Sequence, residues 1–375
     1  MRTAAWARGF QRSFTALTRS ALKAGTLALG AALKPTTAAR KQAARTARKN
    51  AVKAPVKASV KASFSPAVKP SVKLSVKPSV KPVSSPAPGA GSWTRGVAVG
   101  ATGARQFRLY RPPGVGAGQR VPLLVMLHGC GQDAASFAAS TRMNRIAQRE
   151  CFAVLYPEQD RRANLQGCWN WFDTASGRAR AEAELLMKAI DQVCLLHPVD
   201  RDRVAVAGLS AGASMAALLV TLHPERFKAV VMHSGIAPGT AHSTLTALAA
   251  MKGRRATKPL AATPQTMAAC WPPLLVIHGQ ADAVVSPRNG LAAAQAWADA
   301  AGAVAGAERR VQRGQRHAAW VREFKHRGRS VATLVTVEGL AHAWSGGAAS
   351  QAFGDVQGPD ASPRVWAFAA RQFRG

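Results

Sequence analysis

The sequence predicts an α/β fold with a single mostly parallel sheet and helices on both of its faces, preceded by a disordered basic tail. Three observations predict it. From Trp93 onward short apolar runs alternate with helical stretches, which is how strands buried on both faces are joined by crossover helices. No acidic residue precedes Asp133, while 18 of the chain's 51 Lys and Arg fall within residues 1–92. Between 52 and 81 a Val-Lys pair recurs at a spacing of four, broken once at Phe64-Ser65.

The tail divides in two. Over residues 1–33 the apolar side chains Trp6, Phe10, Phe14, Leu17, Ala21, Ala24 and Ala28 recur at spacings of three and four, opposite Arg8, Arg12, Arg19 and Lys23. That spacing predicts a basic amphipathic helix, suited to a polymer-granule or anionic membrane surface. Over residues 34–92 Lys, Pro, Ala and Ser dominate, and Pro55, Pro66, Pro70, Pro78 and Pro82 exclude a helix. Such a segment has too little apolar surface to offset the entropy of ordering, so an extended linker is expected. Ser84 to Gly91 closes it, and residues 93–375 are expected to form one globular domain.

The formal charge of +33 attracts any polyanion without selecting one. Nucleic acid is not the expected partner, and the oligomeric state is not legible. Five cysteines without a Cys-x-x-Cys pair argue against a disulfide framework and a zinc site. No metal or cofactor is expected. No run reaches the roughly 18–20 apolar residues that span a bilayer, and Ala24–Leu33, with two Gly and a Thr, makes a poor secretory signal.

Within the domain, strands are expected at Phe107–Arg111, Pro122–Leu127, Phe152–Tyr156, Val204–Ala207, Ala229–His233, Leu274–His278 and Thr333–Glu338. Helices are expected at Arg180–Leu196 and near 212–222, 288–301 and 361–373. In sheets of this kind the reactive residues gather at the carboxyl ends of the strands.

The sharpest local signal is Gly208-Leu209-Ser210-Ala211-Gly212, set between a strand and an Ala-rich helix. This is the nucleophile elbow of the α/β-hydrolase fold: its glycines permit the tight turn that exposes the Ser210 hydroxyl. A serine hydroxyl needs a general base, and the base needs an acid to hold its tautomer. In this fold they follow in the order acid, then His. Asp282 lies just past the strand ending at His278, and His342 just past the strand Thr333–Glu338. Of the nine histidines, His197, His223, His317 and His326 read as loop or surface residues, and His233 and His278 as supports at strand ends. Asp299, Asp355 and Asp360 compete less well for the acid, lying in a helix or a late loop.

The oxyanion needs backbone N–H donors. Ala211 is one candidate and Cys130, in His128-Gly129-Cys130-Gly131-Gln132, the other. The aromatic run Cys168-Trp169-Asn170-Trp171-Phe172 reads either as a packed patch or, with Trp344 beside the base, as a substrate wall of Trp169, Trp171 and Trp344. Cys130 and Cys168 are candidates for a disulfide in an oxidising compartment, with connectivity left open.

Taken in order, His128 to Gln132, Met143-Asn144, Tyr156-Pro157-Glu158-Gln159, Cys168 to Phe172, Gly208 to Gly212, His233-Ser234-Gly235 and Gly339 to Gly347 resemble the polyhydroxybutyrate depolymerase family of esterases. The resemblance covers about residues 95–373. It looks like the short-chain-length polyhydroxyalkanoate depolymerase type and is similar to feruloyl and acetylxylan esterases. It implies an α/β-hydrolase fold, the triad Ser210, Asp282 and His342, Cys130 as an oxyanion residue, and a polyester or small ester substrate. It implies an extracellular place. The poor signal segment and the end at Gly375, directly after the catalytic unit, point instead to an enzyme attached to an intracellular granule. A polyanion- or granule-binding protein with secondary hydrolase activity is the reading from another class.

Overall fold

The computed structural model describes residues 91–116, 118–257 and 271–374. The expected helix of residues 1–33 and the Val-Lys repeat lie outside them, as does Cys270. In chain order the strands are β1 (Ser92–Gly100), β2 (Gly103–Arg111), β3 (Val121–Leu127), β4 (Ala153–Pro157), β5 (Val199–Leu209), β6 (Ala229–His233), β7 (Leu274–Gly279), β8 (Val304–Ala305), β9 (Arg309–Val311), β10 (Ala319–His326), β11 (Arg329–Val337), β12 (Trp344–Ser345) and β13 (Gly354–Asp355). The helices are α1 (Ala134–Thr141), α2 (Met143–Glu150), α3 (Arg178–Leu196), α4 (Ala211–Leu222), α5 (Thr244–Met251), α6 (Arg288–Ala300) and α7 (Ala361–Gln372).

Eleven strands form one sheet in the order β1-β2-β4-β3-β5-β6-β7-β11-β10-β8, with β9 beside β10. From β4 through β11 every pairing is parallel. Antiparallel strands flank this centre on both sides. The strands β12 and β13 pair separately.

The parallel strands read as unbroken apolar runs because both of their faces are covered. Leu123, Val125, Val206, Val230, Met232 and Val276 face α3, α4 and α6 in one cluster. The alternating positions Leu124, Met126, Ala207, Val231 and Ile277 face α1, α2 and α7 in another. Where burial is one-sided, the sequence signal fails: β1 carries exposed Arg95, and β10 carries exposed Lys325 beside half-buried Arg322 and Glu323, so neither is marked by an apolar run. The eight-residue helices α1, α2 and α5 are too short for a 3.6 period to stand out.

Candidate active site

The nucleophile elbow is built by close packing. Strand β5 ends at Leu209 and α4 begins at Ala211, so Ser210 alone makes the turn, with φ 56° and ψ −120°. A β-carbon on Gly208 would lie 2.3 Å from the Gly212 carbonyl carbon, and one on Gly212 would lie 2.2 Å from Leu127 O. Only glycine fits either place. The Ser210 N–H donates to His233 O at 2.8 Å, pinning the strained residue to the end of β6.

The acid and base loops are stitched together before their side chains meet. Gln280 N donates to Val337 O at 2.8 Å and Ala281 N to Leu340 O at 3.0 Å. His342 Nδ1 then donates to Asp282 Oδ2 at 2.8 Å. The other carboxylate oxygen accepts from Val284 N at 3.0 Å and Val285 N at 2.8 Å. Burial opposes the charge on Asp282, but attraction to His342 and the donors from His278 and His342 outweigh it and hold the carboxyl far below its usual range. Its side chain is wholly buried, whereas that of His342 keeps 9% of its surface exposed. Nδ1 is committed to the carboxylate, so Nε2 is the ring nitrogen that Asp282 leaves unengaged. Among the described residues no hydrogen bond joins Ser210 Oγ to His342; contacts of this kind are commonly long until substrate binds.

The oxyanion loop is held from beneath. Within residues 129–132, Gly129 N donates to Gln132 Oε1, Gly131 N to Gln166 O and Gln132 N to Gly129 O. Cys130 N is thus the one donor of the four without an acceptor among the described residues. Ala211 N opens α4, where no preceding turn supplies an acceptor. Both sequence-predicted oxyanion donors are therefore free.

A disulfide joins Cys130 to Cys168, while Cys151 and Cys194 are free thiols. Under it runs a buried polar network. Glu182 accepts from Asn170 N at 2.9 Å, Asn170 Nδ2 at 2.6 Å and Gln159 Nε2 at 2.8 Å. Gln159 Nε2 also donates to Cys168 O, and Gln159 Oε1 accepts from Arg105. His128 completes the network: its Nε2 accepts from Gln159 N at 3.1 Å, so Nδ1 carries the hydrogen that meets Gly129 O at 2.8 Å. Burial lowers its pKa to about 4, keeping it neutral. His233 serves the base loop in the same way. Its Nε2 accepts from Ser345 N at 3.1 Å, and burial, with repulsion from His278 and His342, lowers its pKa to about 3.

The substrate-wall expectation is corrected for two of three tryptophans. Trp169 and Trp344 have no exposed surface, so neither can line an open cleft. Trp169 Nε1 donates to His128 O at 3.0 Å, bracing the oxyanion loop, and Trp344 Nε1 donates to Ser362 Oγ while its ring stacks on His233. Trp171 is 7% exposed and packs edge-on against Phe172. The sequence reading missed Glu182 and Arg105, whose signal is a charged residue on the otherwise apolar face of an element.

A family model described as "Esterase PHB depolymerase" matches residues 105–316. A poly(3-hydroxyalkanoate) depolymerase C from Paucimonas lemoignei is 37% identical over 107 residues, covering 28% of this chain and 26% of that protein. A feruloyl esterase B from Neurospora crassa is 27% identical over 48% of this chain and 65% of its own length. A probable acetylxylan esterase A from Aspergillus clavatus is also 27% identical, over 47% of this chain and 60% of its own. The chain thus spans less than two thirds of each of these relatives. An acetyl xylan esterase structure from Aspergillus awamori shares the fold, with TM-score 0.51 and 18% identity over 67% of this chain and 94% of that one.

Proposed function

The chain belongs to the esterase family of the polyhydroxybutyrate depolymerases, and on that premise we propose that it hydrolyses short-chain hydroxyalkanoate polyesters or their oligomers. The observation that carries the reading is the convergence of the Ser210 elbow, the Asp282–His342 pair and the two free N–H donors at one end of the sheet. His342 takes the Ser210 proton as Oγ attacks the ester carbonyl, and the Ala211 and Cys130 N–H groups hold the tetrahedral oxyanion. His342 then protonates the departing alcohol. Water repeats the sequence on the acyl-enzyme and releases the acid. The feruloyl and acetylxylan esterase relatives each match a longer stretch of this chain than the depolymerase does, which favours an aryl or carbohydrate ester as the second reading.

Clearing of amorphous poly-3-hydroxybutyrate by the purified chain tests the first reading. Wild type should release 3-hydroxybutyrate, and Ser210→Ala should be slower by about 10⁴-fold or more. Cleavage of methyl ferulate without release of 3-hydroxybutyrate moves the assignment to the second reading. The 18 basic residues within 1–92 support attachment to a granule or anionic membrane. A chain lacking residues 1–90 should hydrolyse a soluble p-nitrophenyl ester at the wild-type rate but pellet less with granules, and equal pelleting rejects the anchor.

A further inference from the structure

His278, next to last in β7, is a buried ring that the mechanism above does not use. Its Nε2 lies 3.0 Å from Val285 O. A carbonyl only accepts, so Nε2 carries a hydrogen. The same Nε2 lies 3.4 Å from Asp282 Oδ2, the oxygen that receives His342. Val285 takes part twice, since its N–H donates to the other carboxylate oxygen at 2.8 Å. The ring therefore spans the acid loop from the strand end to its far side.

Two further observations bear on why a histidine stands there. Its Nδ1 is buried with no hydrogen-bond partner among the described residues, a loss that a ring kept only for packing would not carry. Helix α6 also presses a bare glycine on it: a β-carbon at Gly290 would sit 2.8 Å from that Nδ1. The ring is held between α6 and the acid loop, with Nε2 beside both the Val285 carbonyl and the Asp282 carboxylate. The groups facing this pocket are His233 and His342 besides Asp282, and His233 is neutral, so the His342 Nδ1–H, His278 Nε2 and the two backbone donors together hold the charge of Asp282.

We propose that His278 is a positioning residue of the triad: it fixes the carboxylate of Asp282 in the plane of His342 by bridging Val285 O and Asp282 Oδ2. The proposal rests on the triad reading. With the His278 contact gone, the carboxylate is less firmly oriented toward Nδ1 when His342 takes up the proton, so the loss should fall on turnover and not on binding.

The full chain is assayed on a soluble p-nitrophenyl ester as wild type, His278→Met, His278→Gln and Ser210→Ala. Methionine keeps the volume without the donor and should lower kcat about 10- to 100-fold at unchanged KM, the range for a hydrogen bond to a charged acceptor. Glutamine returns an N–H near the Nε2 position and should recover kcat to within a few-fold. Wild-type kcat in the methionine variant, or equal loss in both, overturns the proposal. Ser210→Ala separates the two claims: retained turnover there overturns the triad itself, whatever His278 does. Ring-nitrogen NMR on the wild type needs no variant to fold. The proton of His278 should reside on Nε2, and finding it on Nδ1 contradicts the assignment.

Discussion

Two loops at the carboxyl edge of the sheet are fixed by opposite means. The acid loop, Gly279 to Val285, is organised around a charge, the buried Asp282 carboxylate, which collects backbone N–H groups and histidine rings about itself. The oxyanion loop, His128 to Gln132, is organised by a covalent bond to Cys168 and by a ring of hydrogen bonds on which Glu182 and Gln159 converge below it. A buried charge without donors is costly, so the first loop is sensitive to any change at the carboxylate. The second should tolerate that change and respond instead to reductant.

The largest expected effect breaks the acid loop alone. Asp282→Asn keeps the shape but presents an amide to His342, favouring the wrong tautomer, and should lower kcat by about 10⁴-fold. The oxyanion loop should keep its disulfide, checked by counting free thiols. A fall of less than tenfold would mean that the charge at Asp282 is not what the loop is built for.

Much of this contrast could be read before the structure, and the division follows burial. The strand ends before Ser210, Asp282 and His342 were legible because β5, β7 and β11 carry apolar runs toward their carboxyl ends. Cys130 and Cys168 were legible as candidates, but a distance across 38 residues of chain is a property of the fold. Trp169 and Trp344 were misplaced because an aromatic run looks the same whether it lines a cleft or fills a core. Their depth is set by the indole acceptors His128 O and Ser362 Oγ, which no local pattern announces. The strand β10 was missed for a related reason: its exposed and half-buried positions admit charge, which hides the strand.

The next effect breaks the oxyanion loop alone. Reduction of the Cys130–Cys168 disulfide, or Cys168→Ser, frees the loop that carries the Cys130 N–H and should lower kcat about 10- to 100-fold, below the loss of an oxyanion donor outright. The Asp282–His342 hydrogen bond should survive, read as an unchanged His342 Nδ1 proton resonance. Full activity after complete reduction would assign the positioning to the hydrogen-bond network instead.

Acid should act on both loops and is the smallest effect on turnover near neutrality. His128 braces one loop and His233 the other, with pKa values lowered to about 4 and about 3. The unfolded chain protonates these rings near 6.5, so it binds protons first as pH falls. The stability they contribute is whole above about pH 6.5 and is lost on the way down through 4 and 3. Between pH 7 and pH 4 the Tm should fall on the order of 5–10 °C. A flat Tm across that interval would show that neither ring has a lowered pKa in the folded chain.

The central claim is that Ser210 forms the acyl-enzyme. The direct measurement is intact mass and peptide mapping of the full chain quenched during turnover of the p-nitrophenyl ester of 3-hydroxybutyrate. One hydroxybutyryl group is expected, borne on the peptide containing Ser210, with p-nitrophenol released in equal amount and no adduct in Ser210→Ala. An adduct on another residue, or turnover unimpaired when Ser210 is replaced, would contradict it.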